Sequence, residues 1–186
     1  MNKIKIKSQM LHLLKIPLLR NFISRWGDKC TILYFHRVID DKYINLEDGP
    51  NRSLCVSSSF FNTLINYLSE NYTIISLDNI KKIESIKSKK KILCITFDDG
   101  YLDNYLNAVP ILNFNKVPAT FYITNDFING KGNIWWYEIW DLLSKINQLE
   151  FSFKGKNYKF KTHDTSYKYL AFKKIRSLIM GSDFYD

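Results

Sequence analysis

The chain reads as an α/β protein built from parallel βα units. Short apolar runs of strand type recur at residues 31–35, 73–77, 91–97 and 118–123, and segments with helical apolar spacing separate the later ones. Strand and helix alternating at this spacing imply parallel pairing with crossover links. The composition agrees with a folded chain: 186 residues, 46% hydrophobic and 24% charged, with 7 Gly and 4 Pro. Collagen, low-complexity linkers and disordered tails are excluded. A chain of this length buries roughly 70% of the surface its unfolded form exposes, so one core needs no disulfide or metal staple.

Each element has its own cause. Residues 10–26 set Met10, Leu11, Leu14, Leu18, Phe22 and Trp26 at helical spacing, with Lys15, Arg20 and Arg25 elsewhere. This is a basic amphipathic helix, either packed on its own domain or lying on an acidic membrane surface. The run Thr31-Ile-Leu-Tyr-Phe35 is a buried strand, and a polar loop follows through Asp48-Gly49-Pro50. Residues 57–59 offer an N-cap to a helix burying Phe60, Phe61, Leu64, Ile65 and Leu68 and ending near Asn71. A strand over 73–77 precedes a second helix, capped by Asp78, with apolar positions Ile80, Ile83 and Ile86. A lysine-rich loop, 87–90, leads to the strand 91–97.

After Gly100 the pattern predicts a helix carrying Leu102, Tyr105, Leu106 and Val109 and kinked by Pro110, then a strand over 118–123. Residues 134–146 read as a Trp-rich helix. The runs 151–153 and 158–160 alternate around Gly155 like a hairpin. Asp164 or Thr165 caps a last helix burying Tyr167, Ala171, Ile175 and Leu178.

The net charge of +9 favours acidic partners, but no zinc finger, recognition-helix signature or RNP-type string supports nucleic acid, and that class is set aside. Cys30, Cys55 and Cys94 form an odd set without C-x-x-C spacing and read as small buried hydrophobes. The basic, then apolar N-terminus lacks a small-residue cleavage site, and no stretch reaches the ~18 apolar residues of a membrane span. The expected location is the cell envelope or the cytoplasm.

The chemistry concentrates in Thr96-Phe97-Asp98-Asp99-Gly100, adjacent carboxylates where an apolar strand stops. In parallel βα architectures reactive side chains gather at the carboxyl ends of strands. Neighbouring like charges repel unless a cation or proton stands between them. Gly100 permits a positive φ that would let both acids converge on one centre. One carboxylate on a divalent metal and the other free as a base would make a hydrolytic site. Asp-Asp-Gly is equally the chemistry of a simple turn.

That string, with Leu33-Tyr34-Phe35-His36-Arg37-Val38, the helix over 58–70 leading into Tyr72-Thr-Ile-Ile-Ser-Leu-Asp78, Tyr101, and Val117-Pro-Ala-Thr-Phe-Tyr122, resembles the polysaccharide deacetylase family, the NodB homology domain of carbohydrate esterase family 4. The five-residue string alone would arise by chance in roughly one such chain in ten thousand. The resemblance covers about residues 30 to 124. It implies a partial distorted (β/α) barrel with a Trp-rich helical and hairpin insertion at the C-terminal end. The corresponding domains are a basic segment 1–27, the N-terminal part of a NodB-like domain at 28–124, and an insertion region at 125–186.

By the same resemblance the chain is a metal-dependent hydrolase that removes acetyl groups from N-acetylated or O-acetylated polysaccharide, acting on non-peptide carbon–nitrogen bonds. Asp98 is the general base, Asp99 the ligand of a divalent metal, zinc. His36, Gly100 and Tyr101 support the site, and Trp135 and Trp136 stand at the substrate edge or, at helical spacing, in the core. Polysaccharide or lipid-linked glycan is the substrate, with membrane-surface contact through 10–26. The family completes its metal site with His-(Ser/Thr)-x-x-His, whereas this chain has only His12, His36 and His163, and Tyr167 stands where a second histidine would follow His163. A lone aspartate does not hold zinc, which takes about three protein ligands in catalytic sites. A truncated form with little or no activity alone is therefore expected. The alternatives are a silent glycan-binding remnant and a peripheral membrane protein.

Overall fold

The computed structural model describes residues 3–5, 30–44 and 49–181. The amphipathic segment 10–26, with its membrane-surface reading, lies outside them. Among the described residues no helix is long and apolar enough to cross a membrane. The chain divides into two compact units, one comprising Met1–Glu47 with Ser53–Thr124 and the other Asp48–Arg52 with Asn125–Asp186.

The first unit is built on a parallel sheet. Strand β1 (Lys3–Lys5) pairs with β2 (Cys30–Phe35), and β2 pairs along its length with β6 (Ile92–Phe97). Because β2 occupies one side of β6, two short strands share the other. β5 (Thr73–Ile74) takes Ile92 and Leu93, and β7 (Thr120–Phe121) takes Thr96 and Phe97. Every residue of β6 is buried, as a parallel strand covered on both faces requires. A separate parallel pair joins β3 (Arg37–Ile39) to β4 (Cys55–Ser57). The α/β class holds, and the described strands form an open five-stranded sheet rather than a closed barrel.

Alternation along the strands assigns two faces. Leu33, Phe35, Leu93, Ile95 and Phe97 meet the apolar side of α2 (Ser58–Asn71), which buries Phe60, Phe61, Leu64, Ile65 and Leu68 as its spacing predicts. Ser57 caps that helix by accepting from the Phe60 N–H at 3.2 Å. The one-turn helix α1 (Asp41–Ile44) sets Asp41 against the same helix start, where it accepts from Ser58 Oγ at 2.7 Å and the Ser59 N–H at 2.8 Å. Phe97 is fully buried and stacks on Phe121 at 4.6 Å between ring centres. Cys30, Ile32, Ile92 and Cys94 line the opposite face, packed by Leu77, Ile80, Ile83 and Ile86.

Several local expectations are corrected here. The segment Leu77–Ser85 is a 3-10 helix capped by Ser76, not a helix capped by Asp78. Its apolar residues recur every third position, which is the eclipsed face of a three-residue turn. The strand expected over 73–77 stops at Ile74 because Ser76 begins that cap. After Gly100 the chain forms a π-helical turn, Asn104–Ala108, and then α3 (Val109–Phe114). Proline at 110 has no N–H and crowds the carbonyl four residues back, and a wider turn relieves both. The widening rotates the buried face to Asn104, Ala108 and Leu112, leaving Leu102, Tyr105 and Leu106 exposed.

The second unit holds the short α4 (Asn125–Ile128), α5 (Trp135–Lys145), the antiparallel hairpin β8 (Gln148–Phe153) and β9 (Lys156–Lys161), and α6 (Thr165–Met180). Lys154 and Gly155, at φ +48° and +74°, form the two-residue hairpin turn. The core of this unit is Trp140, Leu143, Ala171, Phe172 and Ile175. Asp164 caps α6, accepting from the Ser166 and Tyr167 N–H groups. Tyr167, expected inside, is exposed, and Phe172 takes the buried position.

Candidate active site

The carboxyl ends of β2 and β6 bring His36 and Asp98 together. The Asp98 N–H donates to the Phe35 carbonyl at 2.9 Å and the Tyr122 N–H to the Phe97 carbonyl at 2.8 Å, so the peptide that leads into the acid is held from both neighbouring strands. Asp98 therefore keeps the face of Thr96, two residues earlier. His36 Nδ1 lies 3.7 Å from Asp98 Oδ2, with the two side chains 20% and 39% exposed. Both line a cavity of about 680 Å³ with Thr96 and Tyr34.

Asp99 and Gly100 follow with φ of +70° each. Asp tolerates the left-handed region better than most residues, and such backbone recurs at functional turns. A Cβ on Gly100 would stand 3.2 Å from Ile123 Cγ2, so glycine also suits a close approach. Asp99 is not among the residues that line the cavity. Tyr101 is likewise not in its wall; its ring sits 5.1 Å from the Arg37 guanidinium carbon.

Residues missed in the sequence hold His36 in place. Arg37 Nε donates to Asp103 Oδ2 at 2.7 Å, and the Val38 N–H donates to Asp103 Oδ1 at 3.2 Å. Asn104 Nδ2 donates to the His36 carbonyl at 2.8 Å and Asn107 Nδ2 to the Val38 carbonyl at 2.8 Å. Burial pushes the Asp103 carboxyl above its usual range, against the opposing pull of Arg37 and the Val38 N–H. A run of Asp and Asn after Gly100 was the available signal, but only the π turn turns it toward residues 36–38.

A divalent metal needs several donors in one place. Among the described residues no three His, Cys, Asp or Glu side chains stand together to hold an ion, whereas catalytic zinc takes about three. His163 pairs with Asp164 Oδ2 at 3.4 Å and lies on the Tyr167 ring at 4.6 Å, within the second unit. The described residues thus do not fit a complete metal site. Trp135 and Trp136 are in the second unit as well, their rings 5.6 Å apart, with Trp136 packed on that unit's core.

Residues 85–174 match the family model described as polysaccharide deacetylase, a segment containing both Asp98 and Asp99. No curated protein matches. Solved structures similar to the chain include IcaB from Ammonifex degensii (25% identity, TM-score 0.42), covering 52% of this chain and 39% of that one. The deacetylase PplD of Streptococcus pyogenes, solved in complex with acetate, is 23% identical at TM-score 0.46, over 56% of this chain and 46% of that one. A de-N-acetylase from Aggregatibacter actinomycetemcomitans is 21% identical at TM-score 0.41, over 73% and 46%. The chain thus spans less than half the length of each of these. Residues 85–174, the segment that carries the paired aspartates, are thus similar to the polysaccharide deacetylase family.

Proposed function

We propose that the chain carries the base-bearing part of a hydrolase that removes acetyl groups from N-acetylated or O-acetylated polysaccharide. The observation that supports this best is Asp98, half exposed at the carboxyl end of β6, in a cavity wall beside His36 and within the family-matched segment. Asp98 takes a proton from a water whose oxygen bonds to the acetyl carbon. The carbon–nitrogen bond then breaks, the nitrogen takes up a proton, and acetate and a free amine on the glycan remain. His36 orients the Asp98 carboxylate. Asp99 is assigned to a divalent cation, zinc by the family resemblance, although the described residues do not complete a site for it. Residues 28–124 are assigned to the deacetylase domain and 125–186, with Trp135 and Trp136 at a substrate edge, to an insertion. Lipid-linked or cell-envelope glycan is the finer reading of the substrate.

Acetate release from N-acetylglucosamine oligomers, with zinc supplied, tests the proposal. Release by the wild-type chain alone is expected to be slow, as befits a truncated form, and Asp98→Asn is expected to abolish what there is. Release unchanged by Asp98→Asn, or oligomers that neither release acetate nor shift the His36 and Asp98 resonances, would overturn it. The incomplete donor set favours one rival, a silent glycan-binding module. Oligomers that shift those resonances without any acetate release would select it.

A further inference from the structure

The cavity beside Asp98 is much larger than an acetyl group, and its polarity changes from one end to the other. Strand alternation puts Ile32, Tyr34 and His36 of the β2 segment on the same face as Thr96 and Asp98. From His36 back to Ile32 is four residues, or about 13 Å along an extended chain. His36 and Asp98 mark the polar end. Farther from it the wall is Ile32, only 6% exposed, with Leu77 and Ile80 brought in by the 3-10 helix. The three-residue apolar period turns both of these toward the sheet, and Tyr34 and Tyr122 add aromatic surface. The volume of about 680 Å³ is that of a site for an extended small molecule, of which a two-carbon acyl group fills a minor part.

We propose that this trough receives the alkyl chain of an acylated amino sugar, so that the site takes acyl groups longer than acetyl. The acyl carbonyl sits at the Asp98 and His36 end and the chain runs along Tyr34 to Ile32 and Ile80. Carbon–carbon bonds advance about 1.25 Å per atom along a zigzag chain, so a chain of about ten carbons spans the trough. The inference rests on the reading of Asp98 as the hydrolytic base. With the longer substrate water again bonds to the acyl carbon and the carbon–nitrogen bond breaks, giving a fatty carboxylate and a free amine.

Binding of N-acylglucosamines with two, four, six, eight and ten acyl carbons, kept below micelle formation, to the full chain tests it by titration calorimetry. Affinity should rise about threefold to fourfold for each methylene and level off near ten carbons. Ile80→Trp, which places an indole in the trough, should stop the rise at about four carbons. Leu77→Phe gives the same reading from a second position should Ile80→Trp fail to fold. A flat series, or a rise that persists unaltered in both variants, would overturn the proposal. Carboxylate release keeps the two readings apart. Acetate release that depends on Asp98 with a flat length series sinks the trough alone. A rising series truncated by Ile80→Trp, with no release that Asp98→Asn abolishes, supports the trough and removes the hydrolase.

Discussion

Asn104 is the most informative place to perturb the site without touching it. Its side chain is 1% exposed and gives Nδ2 to the His36 carbonyl, while Oδ1 has no hydrogen-bond partner among the described residues. A buried unpaired acceptor costs about 1–3 kcal/mol. Asn104→Leu, similar in volume, removes that cost but leaves the His36 carbonyl without its donor, a loss of the same ~1–3 kcal/mol. The two offset, so the melting temperature should move by no more than about 4 °C in a chain of this length. Asn104→Ala loses the same donor and opens a hole besides, adding about 1–2 kcal/mol of destabilisation. Thermal unfolding by circular dichroism reads both variants, and carbon–proton NMR of the His36 ring reads the position of the imidazole. The leucine variant should keep its melting temperature yet shift the His36 ring signals. A fall of more than about 10 °C in Asn104→Leu would refute the energetics, because it would mean that Oδ1 is satisfied. Unmoved ring signals would refute the clamp.

Further outcomes follow from local chemistry. Burial alone would raise the Asp41 pKa, but hydrogen bonds from Ser59, Ser58, the Ser59 N–H and Ser57 more than offset it and bring it to about 2 from 3.8. A carboxylate depressed on folding contributes stability above the unfolded pKa and loses it as pH falls through about 2. Asp41→Asn should flatten the acid limb of melting temperature against pH, and parallel curves for the two proteins would contradict this. The Cys94 thiol is pushed up to about 12 by burial and by Cys30, whose Sγ lies 3.9 Å away. All three thiols should resist an aromatic disulfide reagent in the native protein and react on unfolding, and rapid native labelling would count against these burials. Gly100→Ala should cost about 1–2 kcal/mol in urea unfolding, chiefly from its positive φ, and Gly100→Asn less. Equal losses would point to the Ile123 contact instead.

The long periodic elements were legible because one physical cause dominates each. The α2 stripe, its Ser57 cap and the uniformly apolar β6 are local signals that packing reinforces. The 3-10 helix was misread although its code was present: Leu77, Ile80, Ile83 and Ile86 repeat every three residues, where an α-helix alternates three and four. The helix after Gly100 was misread for a different reason. Its buried face depends on a widened turn, and the residue that decides the face is a polar one, Asn104, which a hydrophobic pattern discards. His36 and Asp98 were each legible, but their meeting was not, since 62 residues separate them and only the β2–β6 register joins them.

That register also bears on how two adjacent acids are placed at the end of one strand. Hydrogen bonds to both neighbouring strands hold the Phe97–Asp98 peptide, so the Asp98 side chain continues the alternation begun at Thr96 and enters the cavity. Asp99 is the first residue beyond that pairing, and its left-handed backbone ends the alternation. If Asp99 were instead held in strand geometry, it would point to the face of Phe97, which is wholly filled by α2 and the stacked phenylalanines. A charge there would lose its water with no partner, at a cost of several kcal/mol. The left-handed turn costs about 1–2 kcal/mol and avoids that burial, so it is the cheaper way for a strand this apolar to end in two carboxylates. The turn thus gives the neighbouring acids different environments, Asp98 in the cavity wall beside His36 and Asp99 outside it, which is the condition for dividing two roles between identical side chains.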